Sequence, residues 1–264
     1  MRPNIRCAIA ILTGALIPIA AFADTTNNVT GHVRTGEAPI SLSTVTLYRT
    51  GDQKSSGAVA LGSAITDANG FFSISYTSPT AASAVLYMIA EGPIASIRLA
   101  TVLGTAPVPH NVTINERTTV ATAFAMAQFI VDGDIGGKSP GLQNASGTFR
   151  NLVDRATGNV GNVLGSPPNG LDTSTMHIFN SLANLLAGCV SQLGDCAALF
   201  DLATPPGGSA PSNTLQAAVN IAHYPWQNNV AVFVACQVFA PYQPALTVAP
   251  ETWALALKYV GEWP

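Results

Sequence analysis

What most limits the folds open to this chain is a change in the spacing of its apolar residues near Glu116, from every second position before it to every third or fourth after it. Upstream, Val45 and Leu47 share one face and Thr46 and Tyr48 the other, while Phe72, Ile74 and Tyr76 alternate with Ser73 and Ser75. Seven runs rich in β-branched and aromatic residues are predicted strands: Val29 to Arg34, Thr44 to Thr50, Ala58 to Thr66, Gly70 to Tyr76, Ala84 to Glu91, Ile97 to Leu103 and His110 to Asn115. Between the third and fourth, Asp67-Ala68-Asn69-Gly70 holds the Asn-Gly pair of a tight hairpin. Downstream, Val120, Ala123, Phe124, Ala127 and Ile130 form a helical stripe within Thr118 to Val131, with Asn115 placed to cap it. Further helices are predicted over Leu142 to Leu164, Thr173 to Val190, Asp195 to Ala203, Ser212 to His223 and Gln227 to Val238, with corners at Ser166-Pro167-Pro168-Asn169-Gly170 and Thr204-Pro205-Pro206-Gly207-Gly208. The expected fold class is α+β multidomain: a seven-stranded β-sandwich over 24–116, a small all-α domain rich in Ala and Asn over 117–245, and an extended carboxy-terminal segment over 246–264.

The first 23 residues read as a signal peptide. Arg2 and Arg6 give a positive start, Cys7 to Ala20 an apolar stretch too short to span a bilayer, and Ala21-Phe22-Ala23 a small-x-small cleavage pattern. The expected product begins at Asp24, is secreted or periplasmic, and carries no membrane span. Without Arg2 and Arg6, nine basic residues face fourteen acidic ones, a net of −5, with no basic cluster along the sequence. That balance argues against nucleic acid, whose binding draws on clustered Lys and Arg. Only 9% of residues are charged, so the surface must be built from Ser, Thr, Asn and Gln.

The remaining cysteines are Cys189, Cys196 and Cys236. Cys189 and Cys196 flank a Gly-Asp turn and are a disulfide candidate in an oxidising compartment, while Cys236 sits in an apolar run that suits a buried thiol.

Val29-Thr30-Gly31-His32-Val33, Ile40 to Tyr48 and Thr66-Asp67-Ala68-Asn69-Gly70-Phe71-Phe72 resemble the carboxypeptidase regulatory-like, or prealbumin-like, domain of exported bacterial proteins. The resemblance implies a Greek-key β-sandwich, also described as a carbohydrate-binding-like fold, that serves as spacer or interaction module and brings no catalytic residue. Glu116 to Phe124, Ile135-Gly136-Gly137, Leu182 to Cys189 and Ala218 to His223 resemble the helical region that, in larger exported proteins, precedes a propeller of the NHL or streptogramin-lyase-like type. The resemblance covers none of a propeller, so no propeller activity is implied for this chain. In such relatives Thr252 to Val260 would lead into one as an extended strand or linker.

Motifs that could carry chemistry are sparse. Gly137-Lys138-Ser139-Pro140-Gly141 matches G-x-S-x-G, but residues before it read as helix and Pro140 removes an N–H that an oxyanion hole needs. Asp132 and Asp134 open a stretch like a calcium loop, with Gln143 where a distal Glu would close it, which leaves at most weak calcium binding. His32, His110, His177 and His223 show no metal-ligand spacing; His223 with Ser139 and Asp132 or Asp134 would form a triad only if the fold gathered them. Tyr48, Tyr76, Tyr87, Phe71 and Phe72 could give sugars a stacking platform, or could be core. The expected role is therefore a non-catalytic interaction or scaffolding protein of the cell envelope or extracellular space, without a cofactor and with a protein or polysaccharide partner. A carbohydrate-binding module is the alternative and a serine hydrolase the last.

Overall fold

The computed structural model describes residues 26–54, 57–77, 84–191 and 196–259; the leader expected over 1–23 lies outside them. Two four-stranded sheets are present. In one, β1 (Thr26–Thr35) pairs antiparallel with β5 (Phe71–Thr77), parallel with β8 (Asn111–Ile114), and at its end with the two-residue β2 (Ala38–Pro39). The other is antiparallel throughout, in the order β4 (Val59–Ile65), β3 (Thr44–Arg49), β6 (Val85–Glu91), β7 (Arg98–Thr105). Their facing sides share one core that includes Val29, Val45, Leu47, Phe72, Ile74, Leu86, Met88 and Leu99.

The turn after β4 differs from the expected hairpin. Strands β4 and β5 belong to different sheets, so Asp67 to Gly70 carries the chain across the core rather than closing a two-stranded ladder. A tight hairpin of that kind needs positive φ at both central residues, and here Gly70 has φ +71° while Asn69 does not share it. Asp67 Oδ1 sets the bend instead, accepting from the amides of Asn69 at 2.8 Å and Phe71 at 2.9 Å. A Cβ at Gly70 would meet the Val33 carbonyl at 2.5 Å, so glycine is required for space as well as for φ.

The second sheet is covered on its other side too. Tyr87, Ile89, Ala100 and Val102 point away from the first core into a second one, which they share with the helices. These are α1 (Glu116–Ala125), α2 (Gly141–Leu152), α3 (Asn162–Gly165), α4 (Thr175–Val190), α5 (Cys196–Leu202), α6 (Thr214–His223) and α7 (Asn229–Ala235). The molecule is thus an α+β arrangement in three layers, sheet on sheet on helices, and its hydrophobic packing runs across residue 116.

Two helices depart from the sequence reading. The first ends at Ala125 rather than Val131, and the chain continues through a 3-10 turn into a small hairpin, β9 (Ile130–Val131) with β10 (Asp134–Ile135). The segment from Leu142 to Leu164 splits into α2 and α3, because Asp154 Oδ1 gathers the amides of Ala156 and Thr157 and bends the chain. The expected Asn115 cap is present, accepting from the Thr118 amide at 2.9 Å while Thr118 Oγ1 accepts from the Asn115 amide. Helix α1 has no solvent side over Glu116 to Ala123. Its threonines are tolerated there because their hydroxyls return to backbone carbonyls, Thr119 to Asn115 and Thr122 to Thr118.

Residues 246–259 form neither helix nor strand, but they are no free linker. Trp253 is fully buried in the helical core and its amide donates to the Pro225 carbonyl at 2.7 Å. Asn169 clasps Lys258 from both sides, donating to its carbonyl at 2.9 Å and accepting from its amide at 2.8 Å. No described helix is long and apolar enough to cross a membrane.

Candidate functional site

A groove of about 520 Å³ lies where the β9–β10 hairpin, the start of β7 and helix α6 meet. Thr214 fixes this corner: its hydroxyl donates to the Arg98 carbonyl at 2.7 Å and accepts from the Arg98 amide at 3.0 Å. Asn213 caps α6 by accepting from the Gln216 amide at 3.0 Å. His223, at the far end of α6, sits with Nε2 2.9 Å from the Ala127 carbonyl. Ile130, Val131, Leu215 and Val219 make one wall apolar; Lys54, Arg98, Asp132 and His223 bring charge or a titratable ring.

Asp132 occupies this groove for a backbone reason. With Asp134 paired to Val131, Asp132 and Gly133 are the two loop residues of the hairpin, at φ +53° and +87°. That is the Asp-Gly form of a primed turn, and the signal was present in the sequence as Asp-Gly between Ile130-Val131 and Asp134-Ile135. The Arg98 guanidinium lies against Gly133, where a Cβ would come within 2.7 Å of Nη1. Its Nε is 3.9 Å from Glu91 Oε1, too long for a hydrogen bond, and has no acceptor. Asp132 and Asp134 are both exposed, and no group of three His, Cys, Asp or Glu side chains among the described residues is arranged to hold a metal ion.

The structure brings Asp132 and His223 to one groove but leaves Ser139 off its walls. Ser139 is exposed in the turn before α2, and the residues preceding it are the β9–β10 hairpin rather than the expected helix. The other histidines lie apart: His32 against Phe71 at 5.5 Å, His110 beside the Asn28 carbonyl, and His177 at a shallow hollow with Leu171 and Val248. Cys189 and Cys196 form a disulfide that joins α4 to α5, with Cα atoms 4.7 Å apart; Cys236 is free and buried. Burial pushes the Cys236 thiol well above its usual range, which keeps it protonated and unreactive. Of the strand aromatics, Tyr87, Phe72 and Tyr76 are core; Phe71 keeps an exposed ring.

A buried polar clasp went unread in the sequence. Glu116 is fully buried, and its Oε2 accepts from the Tyr242 hydroxyl and from the Gly36 amide at 3.3 Å, while Oε1 has no partner. Burial is the main force raising its pKa above the ordinary 4.5, opposed by its hydrogen bonds. Burial and then the Glu116 charge raise Tyr242 in turn. Arg117 stacks over the Tyr242 ring at 4.5 Å and donates through Nε to Asn180 at 2.9 Å. Asn184 closes the clasp, accepting from the Tyr242 amide at 2.8 Å and donating to its carbonyl at 3.0 Å. The clasp joins the β1–β2 turn, α1, α4 and the loop at 240–246. Only its partners' separation in sequence, 126 residues from Glu116 to Tyr242, hid it.

No protein-family model matches this chain, and no curated protein matches it. Among solved structures, an alternative pilotin from the type II secretion system of Vibrio cholerae aligns at 20% identity and TM-score 0.26, over 34% of this chain and 94% of the pilotin. A 9R-lipoxygenase from Cyanothece aligns at 12% identity and TM-score 0.24, over 69% of this chain. The aligned part spans a quarter of the lipoxygenase. Similarity at these values assigns neither fold nor function.

Proposed function

We propose that the chain is an exported, non-catalytic interaction or scaffolding protein of the cell envelope or extracellular space. One observation carries the reading. Trp226, Val230, Val234 and Val238, spaced by four along and beside α7, are each more than 60% exposed. Four large apolar side chains exposed along and beside one short helix, on a chain otherwise short of charge, suit contact with another macromolecule. The groove beside α6 supports the non-catalytic part, since its Ser212 hydroxyl is held by Gln216 Oε1 and its His223 Nε2 by a carbonyl. A prealbumin-like Greek-key sandwich as the scaffold, with the helical region of propeller-bearing proteins laid on it, is part of the proposal. Two sheets sharing one core and the Asp67 to Gly70 crossing turn support it.

The test is site-specific photo-crosslinking from positions 230 and 234 in the native host. A discrete adduct that disappears with Val234→Asp is expected; crosslinks indistinguishable from those of an exposed polar position such as Ser75 would sink the reading. A polysaccharide partner would instead register as quenching of Trp226 fluorescence by oligosaccharides, lost in Trp226→Ser. Trp226 is 63% exposed and stands edge-on to Tyr224 at 5.9 Å, which makes it the aromatic best placed to stack on a sugar.

A further inference from the structure

Two of the few cations in this chain converge on one cavity on the opposite flank of α2. The cavity, about 450 Å³, is lined by Gly104, Thr105, Ala106 and Pro107 at the end of β7, by Gln143, Ser146 and Arg150 on α2, and by Arg155. The spacing of 143, 146 and 150 places those three on one face of the helix, beside the Leu142, Ala145, Phe149 stripe that packs inward. A bulge where β7 faces Leu86 and Tyr87 turns the strand here, and Gly104, at φ +91°, brings the backbone against Arg155. Arg155 Nη1 donates to the Leu103 carbonyl, and this is the one hydrogen bond either guanidinium makes among the described residues.

Among the described residues, neither arginine has a carboxylate partner within ion-pair distance. The described ion pairs are Arg34 with Glu37 and Arg98 with Glu91. Asp154, adjacent in sequence, spends Oδ1 on the amides of Ala156 and Thr157 and on the Thr157 hydroxyl. Arg155 is therefore half-buried beside a like charge. Burial and then Arg150 lower its pKa, and Asp154 only partly offsets them. Two guanidinium forks facing one polar hollow, with only Nη1 of Arg155 already engaged among the described residues, form an arrangement suited to an oxyanion.

We propose that this cavity binds the anionic group of an acidic sugar, a uronate carboxylate or a sugar phosphate, between Arg150 and Arg155. The hollow is larger than a bare oxyanion, and its remaining lining suits hydroxyls: the Thr105 and Ser146 side chains, with only Ala106 and Pro107 apolar. Gly104 is part of the site, because a Cβ there would lie 3.2 Å from Arg155 Nη1 and 3.4 Å from Ser146 Oγ. The site stands apart from the α7 row and from the α6 groove, so it holds or falls independently of the interaction reading.

The experiment is a backbone-amide NMR titration of the whole secreted protein with D-glucuronate, glucose 6-phosphate and neutral glucose. Saturable shifts at Gly104, Thr105 and the 153–157 turn are expected with an anionic probe, weakened at least ten-fold by Arg150→Gln and by raised salt. The stronger of the two anionic probes identifies carboxylate or phosphate as the group preferred. Arg150 is exposed and its guanidinium makes no hydrogen bond to the described residues, so its variant keeps the fold even if Arg155→Gln does not. Equal shifts with neutral glucose, unchanged titrations in Arg150→Gln, or no shift at these residues with either anionic probe would each overturn the proposal.

Discussion

Strands β5 and β6 lie in facing sheets and teach opposite lessons about what a strand sequence shows. Along β5, Phe72, Ile74 and Tyr76 are buried and the residues between them are exposed, so the alternation of Phe-Ser-Ile-Ser-Tyr reports a sheet with one wet face. In β6, Val85 to Ala90 are all buried: Leu86 and Met88 meet the other sheet, Tyr87 and Ile89 meet the helices. The second sheet is the middle layer of the molecule, and its sequence is accordingly apolar on both faces.

The hardest test of that contrast is to remove the third layer. Residues 24–116 produced alone would expose Tyr87, Ile89, Ala100 and Val102 as one apolar face, and the expected outcome is aggregation rather than a folded sandwich, read by solubility and by dispersion of the NMR spectrum. A point version compares Ile89→Asp, which buries an unpaired charge and prevents folding, with Ser75→Asp on the wet face of β5, which shifts stability by less than about 0.5 kcal/mol in denaturant titration. Within the third layer, Trp253→Ala should cost about 3–5 kcal/mol, because it empties the helical core of a fully buried indole. Opening the Cys189–Cys196 loop with a double serine variant should cost about 2 kcal/mol, the chain-entropy value for so short a loop. The smallest effect is at Glu116. Its folded pKa lies above its unfolded one, so its contribution is fully present below the unfolded value and is lost as pH rises through the folded value. Wild-type thermal stability should therefore fall as pH rises above 4.5, and Glu116→Gln should remove that component, raising the midpoint at neutral pH by roughly a few °C.

The seven principal strands and the ends of α4, α5 and α6 were legible because each rests on a local signal: a run of β-branched and aromatic residues, an Asn cap, or a proline-rich corner. What was not legible depends on contacts between distant residues. The stripe Val120, Ala123, Phe124 suggested a helix with one buried side, but α1 is enclosed by sheet and helices alike, a fact its own residues do not encode. Asp132 resembled the start of a calcium loop because Asp134 follows it at the alternate position; the type of turn was carried by Gly133 and by the pairing of Ile130 with Ile135 across it. Arg150 and Arg155 looked isolated among nine scattered cations, and only the bulge at the end of β7 gives them a shared cavity. The Glu116 clasp and the buried Trp253 both join the chain's last thirty or so residues to elements formed much earlier, where periodicity has nothing to report.

The burial of Trp253 has a consequence in time. Residues leave a ribosome or an export channel in sequence order, amino terminus first, so the middle sheet emerges before the helices that cover its second face, and the last of that cover lies some 150 residues downstream. Trp253 belongs to the helical core, so that core cannot be complete until the indole has emerged. Such late, long-range closure makes for slow folding, and it leaves an interval in which the half-made protein depends on being held apart from its own copies.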